Sequence, residues 1–295
     1  MTNLNGASIG PEQVTRAASG FAAALVIGIV FYVGLGRVAQ PPIEEKEGFM
    51  SRAKAVVVGV GAEDGLGAAI SRCYAANNRH VLVAGRTLEK VEKVAATIRR
   101  NGGRATAYAI DTTQEEDVIG LFDAAMTNDE DGAPADLVTY NAGKNLKIDF
   151  RQMDASTFED FWRMNTLGGF LVGREAARRF VPLGRGSVFF TGATGALRGM
   201  PGFAHFAASK AGLRMISQSM AREFGPQGIH VAHVVVDGAI DGDRVRSLFP
   251  GAFEQLGENG MLNTKAIAEA YWQLHLQHPS AWTHELDVRP FKESF

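Results

Sequence analysis

The chain alternates between short, uninterrupted apolar runs and longer segments in which apolar residues recur at helical spacing. The apolar runs are rich in Val, Ile and Ala and do not alternate with polar residues, which is typical of strands buried on both faces of a parallel sheet. They cover residues 53–60, 80–84, 104–110, 136–140, 187–191 and 230–236. Helical patterns cover residues 68–77, 87–101, 114–127 and 209–224. This order predicts an α/β fold with a doubly wound parallel sheet, formed as a single domain by residues 50–295.

Residues 1–49 differ in composition from the rest and are expected to form an N-terminal extension. Residues 17–36 are an uncharged hydrophobic segment between Arg16 and Arg37, about long enough to span a membrane as a helix. Its many Ala and Gly residues make insertion only marginally favourable. A polar linker follows, and Met50 directly precedes the first strand-like run. Two interpretations stay open: a membrane anchor, or an upstream extension that is not part of the working protein.

The bulk composition narrows the classes of function. A hydrophobic fraction of 46% and a charged fraction of 21% are ordinary for a globular protein. The net charge of −2 provides no positive field that would recruit nucleic acid. The single cysteine, Cys73, is typical of a reducing compartment, so we expect a cytoplasmic protein, membrane-associated if the N-terminal segment inserts. His230 and His233 fall on opposite faces of one predicted strand, so no metal site is predicted.

A glycine-rich turn lies between the first predicted strand and the helix that follows it. Gly61, Gly65, Leu66 and Gly67 occupy this turn. Glycines there let the backbone turn tightly and approach a pyrophosphate, which the amide groups and dipole of the helix N-terminus stabilise. The position between a strand and a helix predicts a dinucleotide site in a Rossmann fold.

The end of the second strand indicates which dinucleotide is bound. An acidic residue at this point would bind the adenosine ribose and repel a 2′-phosphate, whereas this chain has Arg86, which can pair with a phosphate. Glu63 and Asp64 in the glycine-rich turn carry the opposite charge and argue against an extra phosphate. On balance we expect NADP(H) as the preferred cofactor, with NAD(H) as the alternative.

Four further segments follow the glycine-rich turn in order. Asp111-Thr112 comes after the third strand, Asn141-Ala142-Gly143 after the fourth, Asn165 lies between Met164 and Thr166, and residues 199–210 read GMPGFAHFAASK. With the glycine-rich turn, they resemble the motifs of the short-chain dehydrogenase/reductase family, from about residue 53 onward. The resemblance implies an NAD(P)-dependent oxidoreductase that acts on a small-molecule substrate.

The resemblance also implies roles for individual residues. Asp111 and Thr112 would contact the adenine, and Asn141, Ala142 and Gly143 would line the cofactor cleft. Asn165 would hold a water of the proton relay, and Lys210 would bind the hydroxyls of the nicotinamide ribose.

Two catalytic positions depart from the family pattern. Phe206 stands where the family has the proton-transferring tyrosine, and Ala193 stands where it has the serine that polarises the carbonyl. A positioned acid contributes about 10²–10⁴ in rate and an oxyanion donor about 10²–10³. The family also has a Pro-Gly pair that closes over the nicotinamide, and here it reads Asp237-Gly238. The usual mechanism therefore cannot operate unaltered.

Several residues are candidates for the missing acid. Thr194 is next to the serine position, and Thr191 is a weaker candidate of the same kind. Asp237 and Asp241 could reach the nicotinamide from the closing loop, and a buried carboxylic acid can act as an acid. His205 neighbours Phe206 but should point in another direction from the same helix. The sequence leaves the choice open.

The remaining expectations concern assembly, substrate and function. Small and apolar residues on the helices that contain 168–172 and 211–213, which pair between subunits in the family, predict a homodimer or homotetramer. Residues 238–261 should form much of the substrate wall. The leading hypothesis is an oxidoreductase that transfers a hydride to or from a carbonyl, an alcohol or an activated double bond. The alternative is a non-catalytic NADP(H)-binding sensor, scaffold or partner subunit.

Overall fold

The computed structural model describes residues 52–248 and 250–292. The hydrophobic segment 17–36, the linker after it and the domain boundary predicted at residue 50 lie outside these residues. In the described part of the chain, no helix is both long and apolar enough to cross a membrane.

Seven parallel strands form the central sheet, in the order β3-β2-β1-β4-β5-β6-β9. They are β1 (Ala53–Val58), β2 (His80–Gly85), β3 (Arg104–Ala109), β4 (Ala133–Tyr140), β5 (Gly186–Thr191), β6 (Ile229–Val236) and β9 (Glu285–Val288). Two short strands, β7 (Ile240–Asp241) and β8 (Leu262–Asn263), pair separately. The predicted doubly wound α/β fold is confirmed, and the six predicted strands are present.

Nine described α-helices connect or follow these strands. They are α1 (Leu66–Ala76), α2 (Leu88–Arg100), α3 (Glu115–Met126), α4 (Ala155–Trp162), α5 (Gly168–Phe180), α6 (Ala204–Phe224), α7 (Asp243–Leu248), α8 (Ala252–Leu256) and α9 (Thr264–His275). A π-helical turn, Arg163–Leu167, joins α4 to α5.

The sheet is covered by helices on both faces because alternate strand residues point to opposite sides. Val57 belongs to a core shared with α1, α2 and α9. Its neighbours Val56 and Val58 belong to a second core, shared with α3, α5 and α6. All three valines are fully buried, which explains why the strand sequences are apolar throughout.

Strand order reverses between β1 and β4, since β1 lies next to both β2 and β4. Crossover connections leave the sheet in opposite directions at such a point, and a crevice opens at the carboxyl ends of the two strands. A cleft of about 840 Å³ lies there.

One strand of the sheet was missed by the sequence prediction. β9 pairs with β6 at the edge of the sheet, from His233 opposite Glu285 to Val236 opposite Val288. Its sequence, ELDV, alternates polar and apolar residues, and its side chains are only partly buried. Such a short edge strand lacks the apolar run by which the buried strands were found.

Candidate functional site

The glycine-rich turn is shaped by close packing at the end of β1. The backbone nitrogens of Gly59 and Val60 both donate to the carbonyl oxygen of Ala84, at 2.9 and 3.0 Å, so β1 ends here. Gly59 has a φ of +89°, and a Cβ on it would lie 2.2 Å from the backbone nitrogen of Ala142. A Cβ on Gly67 would lie 3.0 Å from the carbonyl oxygen of Gly59. Glycine is therefore required where β1, α1 and the loop after β4 meet.

The start of α1 faces the cleft with its backbone amides available. Gly65 is the N-cap residue, and no described side chain caps the helix there. Leu66, which begins the helix, is buried and anchors it to the core. A Cβ on Gly61 would meet nothing within 4 Å, so the turn leaves open space on the cleft side. Unsatisfied amides at a helix start, with no acidic residue in the first turn, suit a bound diphosphate.

Two cations line the cleft beyond the end of β2. Arg86 and Lys90 are both exposed and lie on either side of the start of α2. Lys90 was missed by the sequence reasoning, although it lies in the first turn of the helix that begins shortly after Arg86. Glu63, one of the two acids that argued against NADP(H), is held by Lys93 at 2.9 Å and by Thr97 at 2.8 Å. These hydrogen bonds lower the pKa of Glu63, and its charge is paired with α2.

The loop after β3 supplies another wall. Asp111 and Thr112 both line the cleft. The Asp111 carboxylate accepts from the backbone nitrogen and the hydroxyl of Thr113, both at 2.9 Å, so the aspartate also fixes its own turn. Tyr140, where the family has asparagine, is fully buried, and its hydroxyl donates to the carbonyl oxygen of Met164. Tyr140 therefore connects β4 to the π-helical turn.

The loop after β4 lies opposite the glycine-rich turn. Asn141, Ala142 and Gly143 all line the cleft, and the Asn141 side chain donates to the carbonyl oxygen of Gly59 at 3.3 Å. A Cβ on Gly143 would lie 3.0 Å from Asn165 Oδ1 and 3.3 Å from Lys210 Nζ. Asn165 and Lys210 thus lie side by side next to Gly143, and a side chain larger than that of glycine would contact both.

Asn165 is held by the π-helical turn. Its Nδ2 donates to the carbonyl oxygen of Phe161 at 3.1 Å, while its buried Oδ1 has no hydrogen-bond partner among the described residues. π-Helical turns inside helices are frequent at functional sites. A buried acceptor without a partner fits the predicted role of binding a water or a ligand hydroxyl.

Lys210 enters the same space from α6. Its side chain is buried, and Nζ donates to the carbonyl oxygen of Thr191 at 2.9 Å. Burial lowers the pKa of Lys210 from its ordinary value to about 8. Thr191 uses its own hydroxyl to hydrogen-bond Tyr271 at 2.7 Å, so this candidate acid is engaged in the core.

Phe206 and Ala193 lie together, as the family pattern implies. Both line the main cleft and also a second cavity of about 210 Å³ beside it. The Phe206 ring is 9% exposed and packs against Gly195, where a Cβ would lie 2.9 Å from the ring. The positions predicted to match the family's tyrosine and serine are therefore occupied by apolar groups.

Two candidates considered separately in the sequence are joined in the structure. Thr194 lines the second cavity, and its hydroxyl donates to Asp237 Oδ1. Asp237 is 1% exposed. Arg289 and Arg198 approach its Oδ2 at 3.5 and 3.6 Å. The carboxylate is thus enclosed by one hydroxyl and two guanidinium groups.

The other two candidate acids point elsewhere. Asp241 forms an ion pair with Arg246 at 2.9 Å. His205 does face away from Phe206, but it is not a surface residue. Its ring is buried, contacts Phe161 and hydrogen-bonds the carbonyl oxygen of Leu146 at 2.9 Å. His205 therefore holds the loop after β4 against α6.

Part of the cleft wall is formed by residues that the sequence analysis did not single out. Lys144, Leu146 and Lys147 follow the Asn-Ala-Gly segment and line the cleft. Residues 238–261 were expected to form much of the substrate wall, and the cleft-lining members of this segment lie between Gly238 and Val245. Lys144 and Lys147 carried no sequence signal, because loop lysines are ordinarily solvent-exposed.

Comparisons with known proteins identify the family. Residues 54–251 match the family model described as short chain dehydrogenase. The chain is 37% identical to a short-chain dehydrogenase from Rhodopseudomonas palustris, with a TM-score of 0.67, 80% of this chain and 99% of that one covered. It is 30% identical over 212 residues to a 3-oxoacyl-(acyl-carrier-protein) reductase of Mycobacterium tuberculosis, covering 71% and 75% of the two chains. A metagenomic short-chain oxidoreductase in complex with NADP shares the fold, with a TM-score of 0.68, 22% identity, and 82% and 98% covered.

The cleft and its glycine-rich turn define the class, a Rossmann-fold protein of the dinucleotide-binding type. The chain belongs to the short-chain dehydrogenase family, whose members are NAD(P)-dependent oxidoreductases.

Proposed function

We propose that the protein is an NADP(H)-dependent oxidoreductase that transfers a hydride to or from an alcohol, a carbonyl or an activated double bond of a small molecule. The observation that carries this proposal is the single cleft into which the start of α1, the Arg86 side chain and the Lys210 side chain all open. These groups suit, in turn, a diphosphate, a 2′-phosphate and a ribose.

The residues of the cleft fit such a cofactor. The amides of Leu66 and Gly67 would hold the diphosphate, whereas the Gly65 amide closes the turn by donating to the carbonyl oxygen of Ala62, and Asp111 with Thr112 would border the adenine. Lys210 Nζ and the unpartnered Asn165 Oδ1 would face the nicotinamide ribose. The chemistry that the cofactor supplies when bound is the gain or loss of a hydride.

The preference for NADP(H) rests on charge. Arg86 and Lys90 place two exposed cations in the part of the cleft that follows β2. Glu63 of the glycine-rich turn is paired with Lys93, so its charge is already compensated within the protein. Guanidinium and ammonium groups stabilise a phosphate, whereas a carboxylate at this point would favour the free ribose.

A second candidate function is a non-catalytic NADP(H)-binding sensor, scaffold or partner subunit. The apolar side chains of Phe206 and Ala193 favour it, since neither can donate or accept a proton. The cofactor-binding groups are all present in both cases, so the two functions differ only in turnover.

The experiment combines binding with turnover. NADPH and NADH are titrated calorimetrically into the purified protein. The absorbance of the reduced nicotinamide is then followed with a panel of alcohols, ketones, aldehydes and enones. We expect tighter binding of NADPH and measurable wild-type turnover. The absence of heat with either dinucleotide would refute the proposal. Turnover only in the Ala193→Ser/Phe206→Tyr double variant would favour the non-catalytic function.

We also propose that the protein is a homodimer or homotetramer. Large apolar side chains are exposed on the α4, α5 and α6 side of the molecule, where the family pairs subunits. They include Trp162, Phe170 and Met215, between 42% and 51% exposed. Burial of these side chains in an interface would be favourable. Light scattering coupled to gel filtration tests this, and a monomeric mass across the micromolar range would contradict it.

A further inference from the structure

The loss of the tyrosine leaves the reaction without a proton-transfer group at position 206. The small cavity lined by Phe206 and Ala193 has one described side-chain hydroxyl in its wall, that of Thr194. Lys210 does not line this cavity but the main cleft, and its Nζ is bonded to the carbonyl oxygen of Thr191. Thr194 is therefore the hydroxyl best placed to contact a substrate oxygen beside the two missing groups.

The hydrogen bond of Thr194 determines what its hydroxyl can do. A threonine hydroxyl has one proton to donate and lone pairs with which to accept. Here the proton is given to Asp237 Oδ1, so the lone pairs remain for a donor in the cavity. A substrate alcohol is such a donor, whereas a substrate carbonyl can only accept.

The surroundings of Asp237 keep it in the acceptor form. Its two oxygens contact one hydroxyl donor and two cations: Thr194, Arg198 and Arg289. Arg289 also forms an ion pair with the partly exposed Asp287, so its positive charge is shared between two carboxylates. An ionised carboxylate that is buried needs such compensation, and two guanidinium groups provide it.

We infer that Thr194 and Asp237 form a proton relay that replaces the missing tyrosine, and that its substrates are alcohols. The inference rests on the proposed function. The alcohol O–H bond breaks and its proton moves to Thr194 Oγ1, while the Thr194 proton moves to Asp237 Oδ1. The carbon–hydrogen bond breaks with its electron pair, and the hydride goes to an oxidised nicotinamide dinucleotide. The products are a carbonyl compound, the reduced dinucleotide and a neutral Asp237.

The proton then has a way out of the buried site. Asp237 is 1% exposed and has no direct path to solvent, but Thr194 borders a cavity that water can enter once the product has left. The proton then passes from Asp237 Oδ1 back through the Thr194 hydroxyl to that water. By microscopic reversibility, carbonyl reduction along the same path would require the protonated form of Asp237 and the reduced dinucleotide.

The test compares Thr194→Val, which keeps the shape but removes the hydroxyl, with Thr194→Ser, which keeps the hydroxyl. Oxidation of 1-phenylethanol, cyclohexanol and a 3-hydroxybutyryl thioester is measured with NADP⁺. We expect kcat to fall by about 10²–10⁴ in Thr194→Val, the range for a positioned acid or base, and by less than tenfold in Thr194→Ser. Phe206→Tyr added to Thr194→Val should restore part of the loss, because it supplies the family's proton-transfer group.

A second readout needs neither cofactor nor turnover. Infrared difference spectra between wild type and Asp237→Asn, both cofactor-free at neutral pH, report the protonation state of the carboxyl group. We expect the variant to lose a carboxylate band. Loss of a carboxylic-acid band would overturn the assigned direction, since a protonated Asp237 would be the donor.

The outcomes separate this inference from the proposed function. Wild-type binding of NADPH with equal alcohol oxidation by wild type and Thr194→Val overturns the relay and leaves the proposed function standing. Turnover of enones or ketones without oxidation of any alcohol overturns it as well. If the wild type binds neither dinucleotide, the proposed function fails. Melting temperatures and NADPH dissociation constants of each variant exclude loss of folding as the cause of low activity.

Discussion

The charge at the end of β2 leads to a prediction about cofactor selection. Replacing Arg86 by Met removes one of the two cations, Arg86 and Lys90, that line this part of the cleft. A hydrogen bond to a charged group contributes about 1.5–3 kcal/mol, and each 1.4 kcal/mol changes a dissociation constant tenfold. Both side chains are exposed, so screening favours the lower end of the range. We expect Kd for NADPH to rise about tenfold in Arg86→Met and about 100-fold in Arg86→Met/Lys90→Met.

The assay is calorimetric titration of NADPH and NADH into each variant at two salt concentrations. Affinity for NADH should change less than threefold, because it carries no 2′-phosphate. Arg99→Met is the matched control: Arg99 lies on the same helix but pairs with Glu92. Equal losses for NADPH and NADH would refute the assignment of these cations to the 2′-phosphate, as would unchanged NADPH binding in the double variant.

Three further predictions concern stability. Burial lowers the pKa of His233 to about 4, so the unfolded chain takes up protons first and the free energy of unfolding falls as the pH drops from 6.5 to 4. Urea unfolding of His233→Gln should depend less on pH over this range, and a pH dependence equal to that of the wild type would contradict this. Lys210 has a pKa lowered to about 8, so wild-type stability should rise between pH 8 and 10 as the folded state loses its proton first, and Lys210→Met should lack that rise. Glu175 is buried among Arg174, Arg178 and Arg179, so the Glu175→Gln variant should lose about 2 kcal/mol of the free energy of unfolding at pH 7. The exposed control Glu159→Gln should show no measurable loss in the same urea unfolding measurement.

Much of the fold could be predicted because burial on both faces leaves a strong mark on sequence. The six predicted strands are those whose residues enter the two cores, and the glycine-rich turn was predicted from Gly61, Gly65 and Gly67, of which Gly67 has little room for a side chain. Strand ends were less accurate. β1 was predicted to reach residue 60 but ends at Val58, because the backbone turns at Gly59.

The chemistry of the site depended on contacts distant in sequence and could be predicted only in part. Thr194 and Asp237 were each considered as acids, but their hydrogen bond joins the end of β5 to the end of β6. The π-helical turn around Asn165 also has no sequence signal, since it differs from an α-helix by a single residue of register. Lys90 could have been found, because it lies in the first turn of the helix that follows Arg86.

The edge strand β9 has a consequence for how the molecule is completed. The backbone nitrogen of Asp237 donates to the carbonyl oxygen of Val288, and Arg289 reaches the Asp237 carboxylate. β9 follows the other six strands of the sheet along the chain, so the loop after β6 is held in place only once β9 has paired with β6. Proteolytic cleavage after residue 284 would therefore remove the contacts of Val288 and Arg289 with Asp237 while leaving the other six strands of the sheet in place.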